Sequence, residues 1–212
     1  MKFLKRIIFF IIVNSLCAYS QGIDNLWMMG YESWAGFPYG GINIDFNSGT
    51  PIIYGVNRIQ NFKATNANIT DNSGNLLFSS NGVWIADATG DTMLNGSGLN
   101  PSNYTTSNTP YGLYIAQGNV IIPAPGNSEL YYLFHITIDE TTLGGHYITH
   151  NLYCSTIDMS LNGGLGAVIN KNAVILNGDI VPGKLTAVKH GNGIDWWLIG
   201  HLYNSYSYVK FL

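Results

Sequence analysis

Disulfide chemistry is excluded from the mature form of this 212-residue chain: it has two cysteines, and Cys17 lies in an apolar leader. Cys154 is then left without a partner, and packing alone must hold the fold together. Charge is almost as scarce, with only 10% of residues being Asp, Glu, Lys or Arg. Removing the leader takes Lys2, Lys5 and Arg6 with it, leaving six basic residues against twelve acidic ones. So weak a positive field excludes a nucleic-acid partner, since phosphate recognition depends on clustered Lys and Arg. There is no basic amphipathic helix for a membrane surface, and no transmembrane segment is expected in the mature chain. A helical period of useful length is also missing.

The leader itself has the parts of a secretory signal. "MKFLKR" is a basic start, "IIFFIIVNSL" is apolar, and Ala18 and Ser20 supply small residues before a cleavage site. Acylation at Cys17 is the alternative, but Leu16 stands where a lipoprotein signal needs a small residue. We therefore expect residues 1–20 to be a signal peptide and residues 21–212 to be one exported domain, beginning at Gln21.

What is abundant points to strands. The chain has 25 glycines and 14 tyrosines, with Asn throughout. Aromatic and β-branched runs broken by Gly, Asn and Asp are the chemistry of strands and tight turns. "GINIDF" alternates and meets "NSG". "GNLLFSSNGVWIAD" folds back at Asn81-Gly82, a strong hairpin signal. "ELYYLFHITID" reads as a long buried strand, and "NLYCSTIDMS" as its return. "KLTAVKH" and "DWWLIGHL" face each other across Gly191-Asn192-Gly193. In that hairpin Leu185, Ala187, Trp197 and Ile199 are expected to share the buried face, with Lys184 and Thr186 on the other. The unit of turn, strand, turn and antiparallel return recurs about every 40–60 residues. That repetition fits an all-β fold, either a β-propeller of four-stranded antiparallel blades or a β-sandwich.

Several stretches together carry a family resemblance. They are "IDFNSGTP" (44–51), "SGNLLFSSNGVWI" (73–85), "MLNGSGL" (93–99), "VIIPAPGNSELYYLF" (120–134), "STIDMS" followed by "NGGLG", and "KLTAVKHGNGIDWWLIGH" (184–201). In this order they resemble the N-terminal β-propeller region of large secreted bacterial proteins of the type IX secretion, gliding-motility-associated kind. The resemblance implies a seven-bladed or related propeller at the cell surface or outside the cell, and no catalytic residues to carry over. Two stretches depart from the family pattern, "DNLWMMGYESWAGFPYGG" (24–41) and "NPSNYTTSNTPYGLYIAQG" (100–118). Because "SYVKFL" stops in mid-strand, the expectation is the front blades of a longer protein, with a short self-contained variant as the alternative.

Each candidate for chemistry has a plainer reading. His146 and His150 have the four-residue spacing of a helical zinc pair. However, Tyr147, Ile148 and Thr149 favour a strand, where that spacing is too long for one ion. Asp71–Asn75 and Asp87–Asp91 echo calcium loops, yet they lack the closing glutamate and sit where strands must turn. His190 and Asp195 are half of a nucleophile triad without an activated serine, and Cys154 has no cationic neighbour to activate it. "NGGLG" (162–166) is not followed by the helix a phosphate cradle needs. Asn68, Asn95 and Asn103 match glycosylation acceptors only as an Asn-rich chain would by chance. No catalytic, cofactor-binding or metal-ligating set is therefore assigned, and no cofactor is expected.

Two functions follow from this reading. The first is a secreted or cell-surface, non-catalytic module for adhesion, binding or assembly, meeting a glycan or a protein partner. Tyr31, Trp34 and Tyr39 are its candidate sugar-stacking aromatics, or else they pack on the first blade. The second is a secreted hydrolase or lyase using acids and histidines on the propeller's top face.

Overall fold

The computed structural model describes residues 22–35, 39–141 and 145–211. The expected signal peptide with Cys17, the expected start at Gln21, Gly144 and the Trp34 side chain lie outside the described residues. The fold is all-β. Strands β1 (Leu26–Met29), β2 (Gly41–Asp45) and β3 (Ile52–Val56) form a first antiparallel sheet in that order. The next four, β4 (Ala67–Thr70), β5 (Leu76–Ser80), β6 (Trp84–Asp87) and β7 (Thr92–Ser97), form an antiparallel meander. A third antiparallel sheet, joined to the meander by the β7–β12 pair, contains β8 (Asn119–Pro123), β9 (Leu130–His135), β11 (Tyr147–Asp158) and β12 (Ala167–Ile180), with the two-residue β10 (Glu140–Thr141) paired to β11. The fourth contains β13 (Thr186–Lys189), β14 (Trp196–His201) and β15 (Tyr208–Phe211). The described residues include a short helix, α1 (Asn103–Ser107), whose first turn is capped by the Ser102 hydroxyl accepting the Thr105 N–H.

Local chemistry explains the reversals. At Asn81-Gly82 the Asn81 side-chain oxygen accepts the N–H groups of Val83 (3.0 Å) and Trp84 (3.2 Å). Gly82 has φ +82°, and a Cβ there would sit 2.8 Å from a Leu113 methyl. Only glycine combines that backbone with that close approach. The expected hairpin is present, although the reversal runs from Ser80 to its partner Ile85 and is longer than a two-residue loop.

The second and third sheets pack face to face over a core of Ile69, Phe78, Ile85, Leu133 and Ile157, with Phe78 edge-on to Tyr131 at 5.6 Å. They also meet at both edges. The first strands β4 and β8 are neighbours, and β7 meets β12 through the parallel pair Leu94–Ala167. Asn95 donates to the Val168 carbonyl (2.8 Å) and Lys171 to the Ser97 carbonyl (2.8 Å). The eight strands thus make a nearly closed, barrel-like sheet.

Asparagine side chains join the sheets where strands do not pair. The Asn68 amide, on β4, donates to Leu26 O (2.6 Å) and accepts from Met28 N (3.3 Å), as a neighbouring peptide group would. Asn66 donates to Met28 O. Between the second and third sheets Asn119 donates to Ser80 O at 3.1 Å. The bonds to Leu26 and Met28 satisfy backbone of β1, the outer strand of its sheet, that would otherwise invite another strand.

One expectation is corrected. In the fourth sheet Ala187 stands opposite Leu198, and Val188 opposite Trp197. The buried face therefore carries Leu185, Ala187, Trp196 and Leu198, while Trp197 and Ile199 lie on the opposite face with Val188 and Thr186. The turn spans His190 to Asp195, where the backbone N–H of His190 donates to Asp195 O at 2.8 Å. That length sets the register, and a slip of one residue reverses every side chain.

Candidate functional site

The residues singled out in the sequence are mostly bound to backbone. Asp71 accepts the N–H groups of Ser73 (2.8 Å) and Asn75 (2.9 Å), and Asp87 accepts the N–H (2.8 Å) and the hydroxyl (2.6 Å) of Thr89. His190 and Asp195 are not bonded to each other through their side chains. His190 Nδ1 accepts Asn192 N–H at 3.2 Å, and Asp195 Oδ2 accepts from the Asn192 amide at 2.5 Å. The residues after "NGGLG" continue directly as strand β12. Cys154 is half-buried, and burial pushes its thiol up to about 11, out of the reactive range at neutral pH. Lys63 stands 3.7 Å above the Tyr31 ring, whereas Tyr39 is exposed.

His150 is on strand β11, as its neighbours require, and His146 precedes it. Its Nδ1 donates to Asp179 at 2.7 Å, its Nε2 lies 3.4 Å from Glu140, and its backbone N–H donates to Asp139 at 2.7 Å. The Asp179 hydrogen bond, together with the surrounding negative charge, holds the imidazole above its ordinary pKa. The result is an exposed ion cluster linking β10, β11 and β12. Among the described residues no three His, Cys, Asp or Glu side chains are arranged to hold a metal ion.

A triad-like set that the sequence did not signal lies deeper. His135 Nδ1 is 2.8 Å from Asn100 Oδ1, and its Nε2 is 2.9 Å from Ser155 Oγ. The order of groups matches a nucleophile, base and orienting residue, but all three are fully buried. The Ser155 oxygen also accepts the Asn172 N–H at 3.1 Å. No reacting atom can reach it, so the set ties strands together. His135 sits in an apolar stretch between Phe134 and Ile136, and nothing in the sequence marks its partners, which come from residues 35 and 20 positions away.

An open, ligand-sized cleft lies between the third and fourth sheets. Along β9 the odd residues Tyr131, Leu133 and His135 are buried against the second sheet, whereas Tyr132 and Phe134 are only half-buried. They face a cleft of about 470 Å³, completed by Trp196 and Leu198 of β14, Phe211 of β15 and Asp195. A second cleft of about 510 Å³ adjoins it, lined by Asp71, Asn72, Ser128, Lys189 and again Trp196. Both fall within the range of small-ligand sites, about 300–1,000 Å³. The two sheets touch at β8 and β13 and again where the end of β12 bridges the end of β14, with Val181 N–H donating to His201 O and Tyr203 N–H to Asp179 O, both at 2.9 Å. The cleft lies on the half-buried faces of β9 and β14. "YLF" and "DWW" were legible as strand residues; that their half-exposed faces meet was not. No family model, curated protein or solved structure matches this chain.

Proposed function

We propose that the chain is a non-catalytic β-propeller module, exported to the cell surface or beyond, that acts by binding. The propeller reading is supported by the order of strands. β4, β8 and β13 lead their sheets and lie side by side, and each is followed by an antiparallel meander. It is supported also by a recurring turn. Asp45, Asp87 and Asp158 end β2, β6 and β11, and each accepts the N–H of the residue two positions on, at 2.7, 2.8 and 2.9 Å. In this reading the nearly closed eight-strand sheet is two adjacent blades pinched at their inner and outer edges. The export reading rests on the leader sequence and on the type IX resemblance.

The observation that carries the binding function is the aromatic cleft between the third and fourth sheets, open and framed by paired strands. The hydrolase or lyase reading lacks such support, because His135, His150, His190, Asp71, Asp87 and Asp195 are engaged with backbone, with neighbouring side chains or below the surface. The full-length secreted product should adhere to a bacterial or host surface, or to polysaccharide purified from one, and show no turnover on a panel of glycoside, ester and peptide substrates. Turnover lost on changing His190 or Asp195 would reverse the ranking.

A further inference from the structure

We propose that the two clefts beside Trp196 form one continuous site for an uncharged pyranose chain longer than a disaccharide. This rests on the binding-module reading above and names its ligand. Trp196 and Pro125 line both clefts, so an occupant of both must be elongated. The first cleft offers flat apolar walls, Tyr132, Phe134, Trp196 and Phe211, with the Asp195 carboxylate at hand. Aromatic walls with a few polar groups suit a ligand that has an apolar face and hydroxyls at its rim. The second cleft is richer in polar groups, with Asp71, Asn72, Ser128 and Lys189.

Other occupants fit less well. An acyl chain would match the first cleft but would desolvate the Asp71 carboxylate and the Lys189 ammonium in the second. An extended peptide laid along the aromatic walls would find no backbone partners there, because β9 is paired to β8 and β11 and β14 to β13 and β15; the free edge at this cleft is the outer side of β15. A phosphorylated or carboxylated ligand would meet two carboxylates, Asp71 and Asp195, against the one lysine, Lys189. A neutral, hydroxyl-rich chain satisfies both clefts. The paired strands on either side hold the walls in place, so little ordering is required on binding.

The test is calorimetric titration of the full chain with neutral hexasaccharides (cellohexaose, laminarihexaose, mannohexaose and chitohexaose), their disaccharides, an oligogalacturonate and decanoate. At least one neutral hexasaccharide should bind, at least about tenfold tighter than its own disaccharide. Trp196→Ala should weaken that binding at least about tenfold, and so should Tyr132→Ala, which probes the same cleft from β9 should the first variant fold poorly. Trp197→Ala, on the opposite face of the same hairpin, should bind as the parent does. Binding untouched by Trp196→Ala and Tyr132→Ala would overturn the site. So would a preference for oligogalacturonate or decanoate, or no hexasaccharide binding by a chain that still adheres to surfaces, an outcome that spares the module reading. Hydrolysis of the hexasaccharides would overturn the module reading itself.

Discussion

His135 Nε2 lies 2.9 Å from Ser155 Oγ, and neither residue is exposed to solvent. Asn100 fixes the tautomer, because its amide nitrogen donates to Gly82 O and its oxygen therefore faces the ring. Asn100 Oδ1 takes the Nδ1 proton at 2.8 Å, so Nε2 must accept the serine hydroxyl, whose oxygen in turn accepts Asn172 N–H at 3.1 Å. Further bonds run from Asn100 to Gly82 O (2.9 Å) and from Asn172 to Gly98 O (2.9 Å). One neutral imidazole thus links β9 and β11 to the loops that flank the second sheet, with each polar atom of the ring satisfied.

Stability should fall steeply in mild acid because of this ring. Burial pushes the His135 pKa down from 6.5 to about 3. The unfolded chain takes up the proton below 6.5, while the folded chain resists it until about 3. The contribution is therefore complete above 6.5 and lost as pH falls through that window, at up to about 1.4 kcal/mol per pH unit. Urea midpoints from pH 7 to pH 4 should show this slope, and His135→Gln, though less stable at pH 7, should flatten it. A parent slope equal to that of His135→Gln would remove the imidazole from the explanation.

The three strand-ending aspartates should act as turn formers. Asp45→Ala, Asp87→Ala and Asp158→Ala should each destabilise by about 1 kcal/mol, the value of a local side-chain-to-backbone bond. Asn at the same positions should retain most of that, because the accepting oxygen remains. The costs should add in pairs, since the three turns share no hydrogen-bond partner. Thermal midpoints measured with and without added calcium should coincide. A calcium-dependent rise abolished by Asp87→Asn would instead make that turn an ion site.

The strands and turns were legible because their signals are local. "DNSGN" and "DATGD" announce reversals through residues that bond their own backbone, and the structure uses them so. "HYITH" read as strand on the β-branched residues between its histidines. What was not legible depends on distant partners. His135 looks like one more residue of a buried run until Asn100 and Ser155 fold around it. The "GNGI" turn implied a short reversal, and the actual six-residue connection turned Trp197 outward. The aromatic cleft needs residues of two sheets, β9 with β14 and β15, to face each other, which no single strand encodes.

As pH rises beyond the ordinary histidine range the cluster around His150 should loosen. Asp179, and then the charges of Asp139 and Glu140, hold the His150 pKa above 6.5. A raised value means the protonated ring is favoured by folding. The contribution is therefore present below 6.5 and lost as pH rises through the folded value. Its size should be small, since the side chains are 40–56% exposed and solvent screens them. Histidine NMR titration should find His150 titrating above 6.5, and Asp179→Asn should bring it down. An unchanged His150 midpoint in Asp179→Asn would assign the shift elsewhere.

The register of the fourth sheet should be readable from neighbouring substitutions. Leu198 is 2% exposed and packs with Ile122, Leu152 and Leu185. Leu198→Ala removes those contacts and leaves a cavity, and it should cost about 2–5 kcal/mol. Trp197 stands on the other face, edge-on to His190 at 5.2 Å and beneath Lys210 at 4.5 Å. Its replacement by Ala loses half-buried area and a weak cation–π contact, about 1 kcal/mol or less for the latter. Leu198→Ala should therefore lower the denaturation midpoint well beyond Trp197→Ala, although tryptophan is the larger side chain. The opposite ranking would mean that the strand sits one residue over, with Trp197 inward. In that register Trp196 would point away from the cleft, and the saccharide site would lose its shared wall.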